Sequence, residues 1–139
     1  MLRAPESTCR ELGGVIYELL FFELKDLMMR QEIVAHLTTH VGSGTTEEVD
    51  CAMAVLQELT LKGAGSLKPF SAFITSMLDS LQNMTLAQVR RLFIILFSLA
   101  DEADGDDVHI VIRKNLSHSN IRMKRIGIVG VTAFAVSKR

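Results

Sequence analysis

The sequence predicts an all-α fold, namely an antiparallel helical-repeat segment of the HEAT-like α-solenoid type with about seven helices. Apolar residues make up 48% of the 139 residues and recur at helical spacing along most of the chain. Proline occurs only twice, as a mostly helical chain requires. Because no sharp internal repeat is visible, the solenoid prediction depends on consecutive amphipathic helices joined by short loops.

The first two helices are predicted at roughly 9–28 and 30–41. Thr8 and Glu11 have the spacing of a capping box, in which both side chains satisfy backbone N–H groups at a helix start. Gly42-Ser-Gly44 is expected to end the second helix, because glycine tolerates the left-handed conformation there. The apolar residues of the first helix recur at helical spacing: Leu12, Val15, Ile16, Leu19, Leu20, Leu24, Leu27 and Met28.

The middle of the chain is predicted to hold two further helices. Thr45 and Glu48 form a second capping box, which opens a helix of about 46–62. Gly63-Ala-Gly65 is expected to break this helix. Pro69 suits the first turn of the next helix, since its missing N–H costs nothing there.

Two more helices are predicted around an acidic loop. A third capping box, Thr85 with Gln88, opens a helix of about 86–100. The loop 101–107 follows and contains five acidic residues. Val108–Ile112 alternates like a strand, but acidic residues before it and basic residues after it suit a helix dipole, so we predict a helix.

The last predicted helix, which Asn120 would cap, places Lys124 ahead of a long apolar run. On a helical wheel Lys124 lies within an apolar stripe, whereas Gly127 and Gly130 lie on another side, where a neighbouring helix could approach closely. Since the helix is apolar almost all round, we expect it to be heavily covered. Lys124 then either extends its amine along the core to water or lies at a partner interface that must open.

No motif of an enzyme, a cofactor site or a metal site is evident. His36 and His40 share a helical face, but the glutamate of a zinc-protease motif and a third ligand are missing. No glycine-rich phosphate loop is present, and Cys9 and Cys51 lack metal spacing. The apolar stretches are too short to cross a bilayer, so no membrane association is predicted.

The charges are divided unevenly along the chain, although the net charge is only −1. From Val108 to the end there are seven Lys/Arg and no acid. Such a basic surface favours contact with DNA phosphates or an acidic protein, and a solvated basic face is an equal alternative. The candidate contact residues are Arg113, Lys114, Arg122 and Arg125. One function is therefore a generic helical-repeat binding module that uses this surface.

A second, more specific function is implied by a resemblance to a known family. The stretches that carry it occur in this order: Gln31–His36 with Glu48–Asp50, then Asp106–Lys114, then Arg122–Gly130. Together they resemble the Fanconi anaemia group D2 family over about residues 30–135. Members of that family are far longer, so residues 1–139 are expected to be a single solenoid segment of a larger protein. An incomplete gene model and a shortened homologue are the alternatives.

This resemblance implies a nuclear, non-enzymatic scaffold in the repair of DNA interstrand crosslinks. Such a scaffold pairs with its paralogue, the Fanconi anaemia group I protein, and the pair encloses DNA. An E2/E3 ligase complex attaches one ubiquitin to a single lysine, and Lys124 is the matching position. Arg125 departs from the family pattern, which has an apolar residue there. Since the remaining parts of the DNA clamp are absent, DNA binding by this chain alone would be weak or absent.

Overall fold

The structure, a computed structural model, describes residues 7–43, 45–99 and 106–137, and every regular element in these ranges is helical. The α-helices in these ranges are α1 (Ser7–Glu23), α2 (Leu27–Ser43), α3 (Thr46–Leu67), α4 (Ser71–Thr75), α5 (Leu86–Leu99), α6 (Asp106–Leu116) and α7 (Ile121–Ser137). The all-α prediction is confirmed, while the solenoid arrangement stays a prediction. None of these helices has both the length and the apolarity that a bilayer span requires.

The chain divides into two compact units, Met1–Gly63 and Ala64–Arg139. Gly63 leaves the helical conformation inside α3, with φ −165° and ψ 63°, at the place where a break was predicted. The helix resumes after it and continues to Leu67, beyond the predicted end. That residues 1–139 form one solenoid segment stays a prediction.

In the first unit, α1 ends at Glu23, five residues before the predicted end, because Asp26 starts the next helix. The Met28 amide donates to Asp26 Oδ1 over 2.9 Å, the hydrogen bond of a helix N-cap. Arg30 Nε donates to the carbonyl oxygens of Leu24 (2.6 Å) and Phe21 (3.0 Å), near the end of α1. Residues 24–26 therefore separate the two helices, at positions that the prediction assigned to the first helix.

The capping box that opens α3 is confirmed. The Thr45 amide donates to Glu48 Oε2 (3.2 Å), and the Glu48 amide donates to Thr45 Oγ1 (3.3 Å). Glu48 is buried, and its Oε1 lies 2.8 Å from Nδ1 of His40. The core of this unit consists of buried apolar residues from all three helices, among them Phe21, Val34, Leu37, Ala52, Met53, Leu56 and Leu59.

The apolar stripe of α1 does not form the core of this unit. Its large side chains are exposed, including Leu12, Val15, Leu19 and Leu20. Among the large side chains described for this helix, that of Phe21 is fully buried. Apolar spacing shows that one face of a helix is apolar, but a covering element must also lie against that face. The Thr8 half of the predicted capping box lies outside the described side chains.

In the second unit, the segment after α3 is not one α-helix. Two 3₁₀ segments, Lys68–Phe70 and Ser76–Asn83, flank the short α4. Thr75 Oγ1 donates back to the Ser71 carbonyl oxygen and Ser76 Oγ to that of Phe73, and such bonds compete with regular helix formation.

The helices α5 and α6 form where the sequence predicted helices. The capping box of α5 is confirmed, since the Thr85 amide donates to Gln88 Oε1 (3.0 Å) and the Gln88 amide to Thr85 Oγ1 (3.2 Å). Fully buried side chains of α5 build the core of this unit: Val89, Leu92, Phe93 and Ile95. Of the acidic loop predicted at 101–107, residues 101–105 lie outside the described part of the chain. Asp106 and Asp107 belong to α6, but their side chains are not among those described.

Candidate functional site

The candidate site is α7, and two glycines determine how this helix packs. A Cβ atom built on Gly127 would lie 2.8 Å from Leu116 Cγ and 2.9 Å from the Leu116 backbone nitrogen. One built on Gly130 would lie 2.7 Å from Ile112 Cγ1 and 3.3 Å from the ring of Phe93. The close approach predicted for both glycines is confirmed, and it brings α7 against α5 and α6.

The first turn of α7 is held by a cap and by a distant arginine. Asn120 Oδ1 accepts from the Arg122 amide over 2.8 Å, so Asn120 caps the helix as predicted. The guanidinium of Arg122 donates through Nη2 to the carbonyl oxygens of Met84 (2.7 Å) and Gln82 (3.3 Å). These bonds fix the start of α7 to the segment just before α5.

Lys124 is the fourth residue of α7 and lies at the end of this first turn. Its side chain is exposed. The apolar residues around it are also exposed, with 67% of Ile121, 57% of Ile128 and 48% of Val131 accessible to solvent. The expectation that α7 is heavily covered is therefore wrong for this face. It holds for the opposite side, where Ile126 and Ala133 are fully buried.

The predicted basic contact residues differ in what their side chains do. Arg113 and Lys114 are exposed in the last turn of α6, where cations complement the helix dipole. Arg125 is exposed on α7. Arg122 is also exposed, but its guanidinium is engaged by the two carbonyl groups described above. Three of the four predicted residues are thus exposed without such an anchor.

The structure does not bring the candidate metal ligands together. His40 pairs with Glu48, whereas His36 is exposed. Among the described residues, no group of three His, Cys, Asp or Glu side chains could hold a metal ion. Cys51 is a half-buried free thiol, and the side chain of Cys9 lies outside the described part.

Two features of the second unit, Ala64–Arg139, are not apparent from the sequence. The anchoring of Arg122 joins residues 38 and 40 positions apart, and no local pattern signals it. The second is an aromatic cluster in which the ring of Phe134 lies 4.8 Å from that of His109 and 5.2 Å from that of Phe97. Helical spacing puts Phe134 on the same face as Gly127, but it does not identify His109 as a partner of the Phe134 ring.

Comparison with known proteins assigns the family. The family model described as Fanconi anaemia protein FancD2 nuclease matches residues 1–138. The chain is 41% identical over 130 residues to the Fanconi anemia group D2 protein homolog of Mus musculus, covering 88% of this chain. It is 42% identical to the Rattus norvegicus homolog over 82% of this chain, and 39% identical to the Gallus gallus group D2 protein over 93%. The chain spans only 8–9% of the length of these curated relatives. With a family model that matches nearly every residue and relatives at about 40% identity, the chain belongs to the Fanconi anaemia group D2 protein family.

Proposed function

We propose that this chain is the ubiquitin-acceptor segment of a nuclear, non-enzymatic scaffold in the repair of DNA interstrand crosslinks, with Lys124 as the acceptor. The observation that carries the proposal is the exposed Lys124 side chain near the start of a helix whose first turn is anchored at both Asn120 and Arg122. The family supplies the pathway, and the geometry of α7 supports the choice of residue.

An acceptor lysine must bring its amine to the thioester of a ubiquitin-loaded E2 enzyme. A fixed backbone helps, because only the side chain then has to be ordered in the encounter. The Asn120 cap and the bonds from Arg122 to the Met84 and Gln82 carbonyls provide that fixed backbone. No described acidic residue forms a salt bridge with Lys124, so its amine is not held in an ion pair by that part of the chain.

The proposed partner at this face is the Fanconi anaemia group I paralogue. Ile121, Ile128 and Val131 expose apolar surface beside Lys124, and Val136 extends it along the helix. Contiguous apolar patches on soluble proteins commonly mark interaction sites. If the paralogue covers this stripe, Lys124 becomes accessible only when the interface opens, so that pairing regulates modification.

An in vitro ubiquitination assay with the pathway's E2 enzyme and ligase complex tests the acceptor. We expect Lys124→Arg to abolish the single modification. Lys114→Arg is the matched control, because Lys114 is also an exposed lysine of the same unit. Each protein should be assayed with and without the paralogue, whose presence should change the rate. Equal modification of the parent and Lys124→Arg would show that another lysine is the acceptor.

A second candidate function, the generic binding module, is favoured by one observation. Arg113, Lys114 and Arg125 are exposed, and no acidic residue follows Asp107 in the sequence. DNA binding of the parent and of the double charge reversal Arg113→Glu with Arg125→Glu should be compared at several salt concentrations. Tight, salt-sensitive binding that the reversals remove would favour this function, whereas the first proposal expects weak binding at most.

Because the matching family model is described as a nuclease, DNA cleavage by this chain should be measured separately. The chain should be incubated with DNA and Mg²⁺ or Mn²⁺. We expect no cleavage, and cleavage that copurifies with the chain would overturn the non-enzymatic part of the proposal.

A further inference from the structure

A groove of about 270 Å³ runs between α1 and α3 within the unit formed by residues 1–63. Its floor is apolar and is built by Gly14 and Val15 of α1 with Ala54 and Val55 of α3. The helices are close at Gly14, where an added Cβ would lie 3.1 Å from Val55 Cγ2. The lining positions on each helix recur at i, i+3, i+4 and i+7, so the groove is two helical turns long.

The rim of this groove is acidic. Glu11 and Glu18 line it from α1, and Glu58 lines it from α3. Lys62 forms a salt bridge with Glu18 and lies 4.0 Å from Glu58 Oε2. Three carboxylates and one ammonium leave a net charge of −2 (−3 plus +1) at the edge of an apolar floor.

We propose that this groove binds about two turns of a basic amphipathic helix from another protein. Small apolar side chains of that helix would lie on the floor formed by Val15 and Ala54. Its Lys or Arg side chains would extend to Glu11 and Glu58, whose carboxylates are more exposed than that of Glu18. An amphipathic helix in an apolar groove is a recurrent mode of recognition, with anchors at this spacing.

The charge of the rim selects this occupant over others. Nucleic acid and an anionic membrane surface carry the same sign of charge as the rim and would be repelled. An acidic peptide would be repelled for the same reason. A purely apolar helix would leave the net charge of −2 at the rim uncompensated. The proposal is independent of the role of Lys124, because all lining residues belong to the other compact unit.

Binding of synthetic peptides to the full 139-residue chain tests the proposal. The probe is a helix-stabilised peptide with Ala and Leu on one face and Lys and Arg on both flanks. Its control carries Glu at every Lys and Arg position. Fluorescence anisotropy should show binding of the basic peptide that weakens as salt is raised, and no binding of the acidic control. Equal binding of both peptides, or binding of neither, would overturn the proposal.

Substitutions locate the binding on the chain. The double reversal Glu11→Lys with Glu58→Lys should weaken binding of the basic peptide about tenfold, because two attractions become repulsions. Glu32→Lys is the matched control, since Glu32 is exposed on α2 outside the groove, and it should leave the affinity unchanged. Ala54→Phe should abolish binding by filling the floor. Circular dichroism establishes that each variant is folded, and equal weakening by Glu32→Lys would contradict the assigned location.

Cys51 offers a measurement that needs no substitution. Its half-buried free thiol lines the groove, so a bound helix should slow its alkylation by iodoacetamide. Peptide mapping by mass spectrometry separates Cys51 from Cys9. We expect protection of Cys51 at saturating basic peptide, and an unchanged alkylation rate would overturn the proposal.

Discussion

Replacement of Gly127 by alanine should destabilise the packing of α7 against the end of α6. The new Cβ would lie 2.9 Å from the backbone nitrogen of Leu116 and 2.8 Å from its Cγ. A contact of this kind with a backbone atom cannot be relieved by rotation of a side chain. One of the two helices must therefore move, and the packing along the whole interface must change with it.

Two opposing terms set the size of the effect. Alanine is favoured over glycine in a helix by about 1 kcal/mol. Overpacking of a well-packed core costs about 1–3 kcal/mol, and the backbone contact at Leu116 places Gly127→Ala near the upper limit. The difference is a net loss of about 2 kcal/mol in the free energy of unfolding.

Gly65→Ala is the control for this prediction. Gly65 lies in the helical part of the same compact unit, and a Cβ built on it meets nothing within 4 Å. Only the helix-propensity term remains there, so this substitution should stabilise by about 0.5–1 kcal/mol. Urea denaturation of the parent and both variants, followed by far-UV circular dichroism, gives the three free energies of unfolding.

The two substitutions should therefore change stability in opposite directions. If Gly127→Ala is as stable as Gly65→Ala, α7 does not approach α6 as closely as the structure shows. A loss of stability in Gly65→Ala equal to that in Gly127→Ala would mean that glycine is needed for another reason. Either result would refute the packing argument.

Three further predictions concern single contacts. Arg122→Ala should lower the free energy of unfolding by about 1–2 kcal/mol because it removes the hydrogen bonds to two carbonyl groups, whereas exposed Arg125→Ala should change it by under about 0.5 kcal/mol. Thr85→Ala should cost about 1 kcal/mol through loss of the α5 capping box; urea denaturation measures all three variants, and equal losses for both arginines would contradict the anchoring role. The hydrogen bond to Glu18, followed by the attraction of that carboxylate, holds the pKa of Lys62 above its ordinary 10.5. Its stabilising contribution should therefore be complete below pH 10.5 and be lost as pH rises through the raised pKa, a dependence that Lys62→Met should lack in alkaline urea denaturation.

Local signals in the sequence predicted much of the fold and part of the site. The capping boxes at Thr45 and Thr85 form as expected because each involves atoms only three residues apart. The helical wheel of α7 separated the face of Lys124 from that of Gly127 and Gly130, since backbone geometry alone fixes which residues share a face. Both faces are found where the wheel placed them.

The sequence did not reveal which apolar faces are covered. The stripe of α1 and that of α5 have the same spacing, yet Leu19 is exposed and Leu92 is fully buried. Periodicity reports the composition of a face, whereas burial depends on elements distant in the sequence. The partners of Arg122 could not be predicted either, because they are backbone carbonyl groups distant in the sequence and carry no residue-specific signal.

The division of α7 into a buried side and an exposed side offers a way to separate function from folding. Ile121, Ile128 and Val131 keep about half or more of their surface exposed within the described chain, so polar residues at these positions should change the stability of α7 far less than changes on its buried side. A defect in such variants would report association with another molecule, free of the unfolding that usually accompanies changes to apolar residues. Gly127 and Gly130 offer the reverse class of variant, in which the helix shifts while the exposed surface keeps its chemical composition.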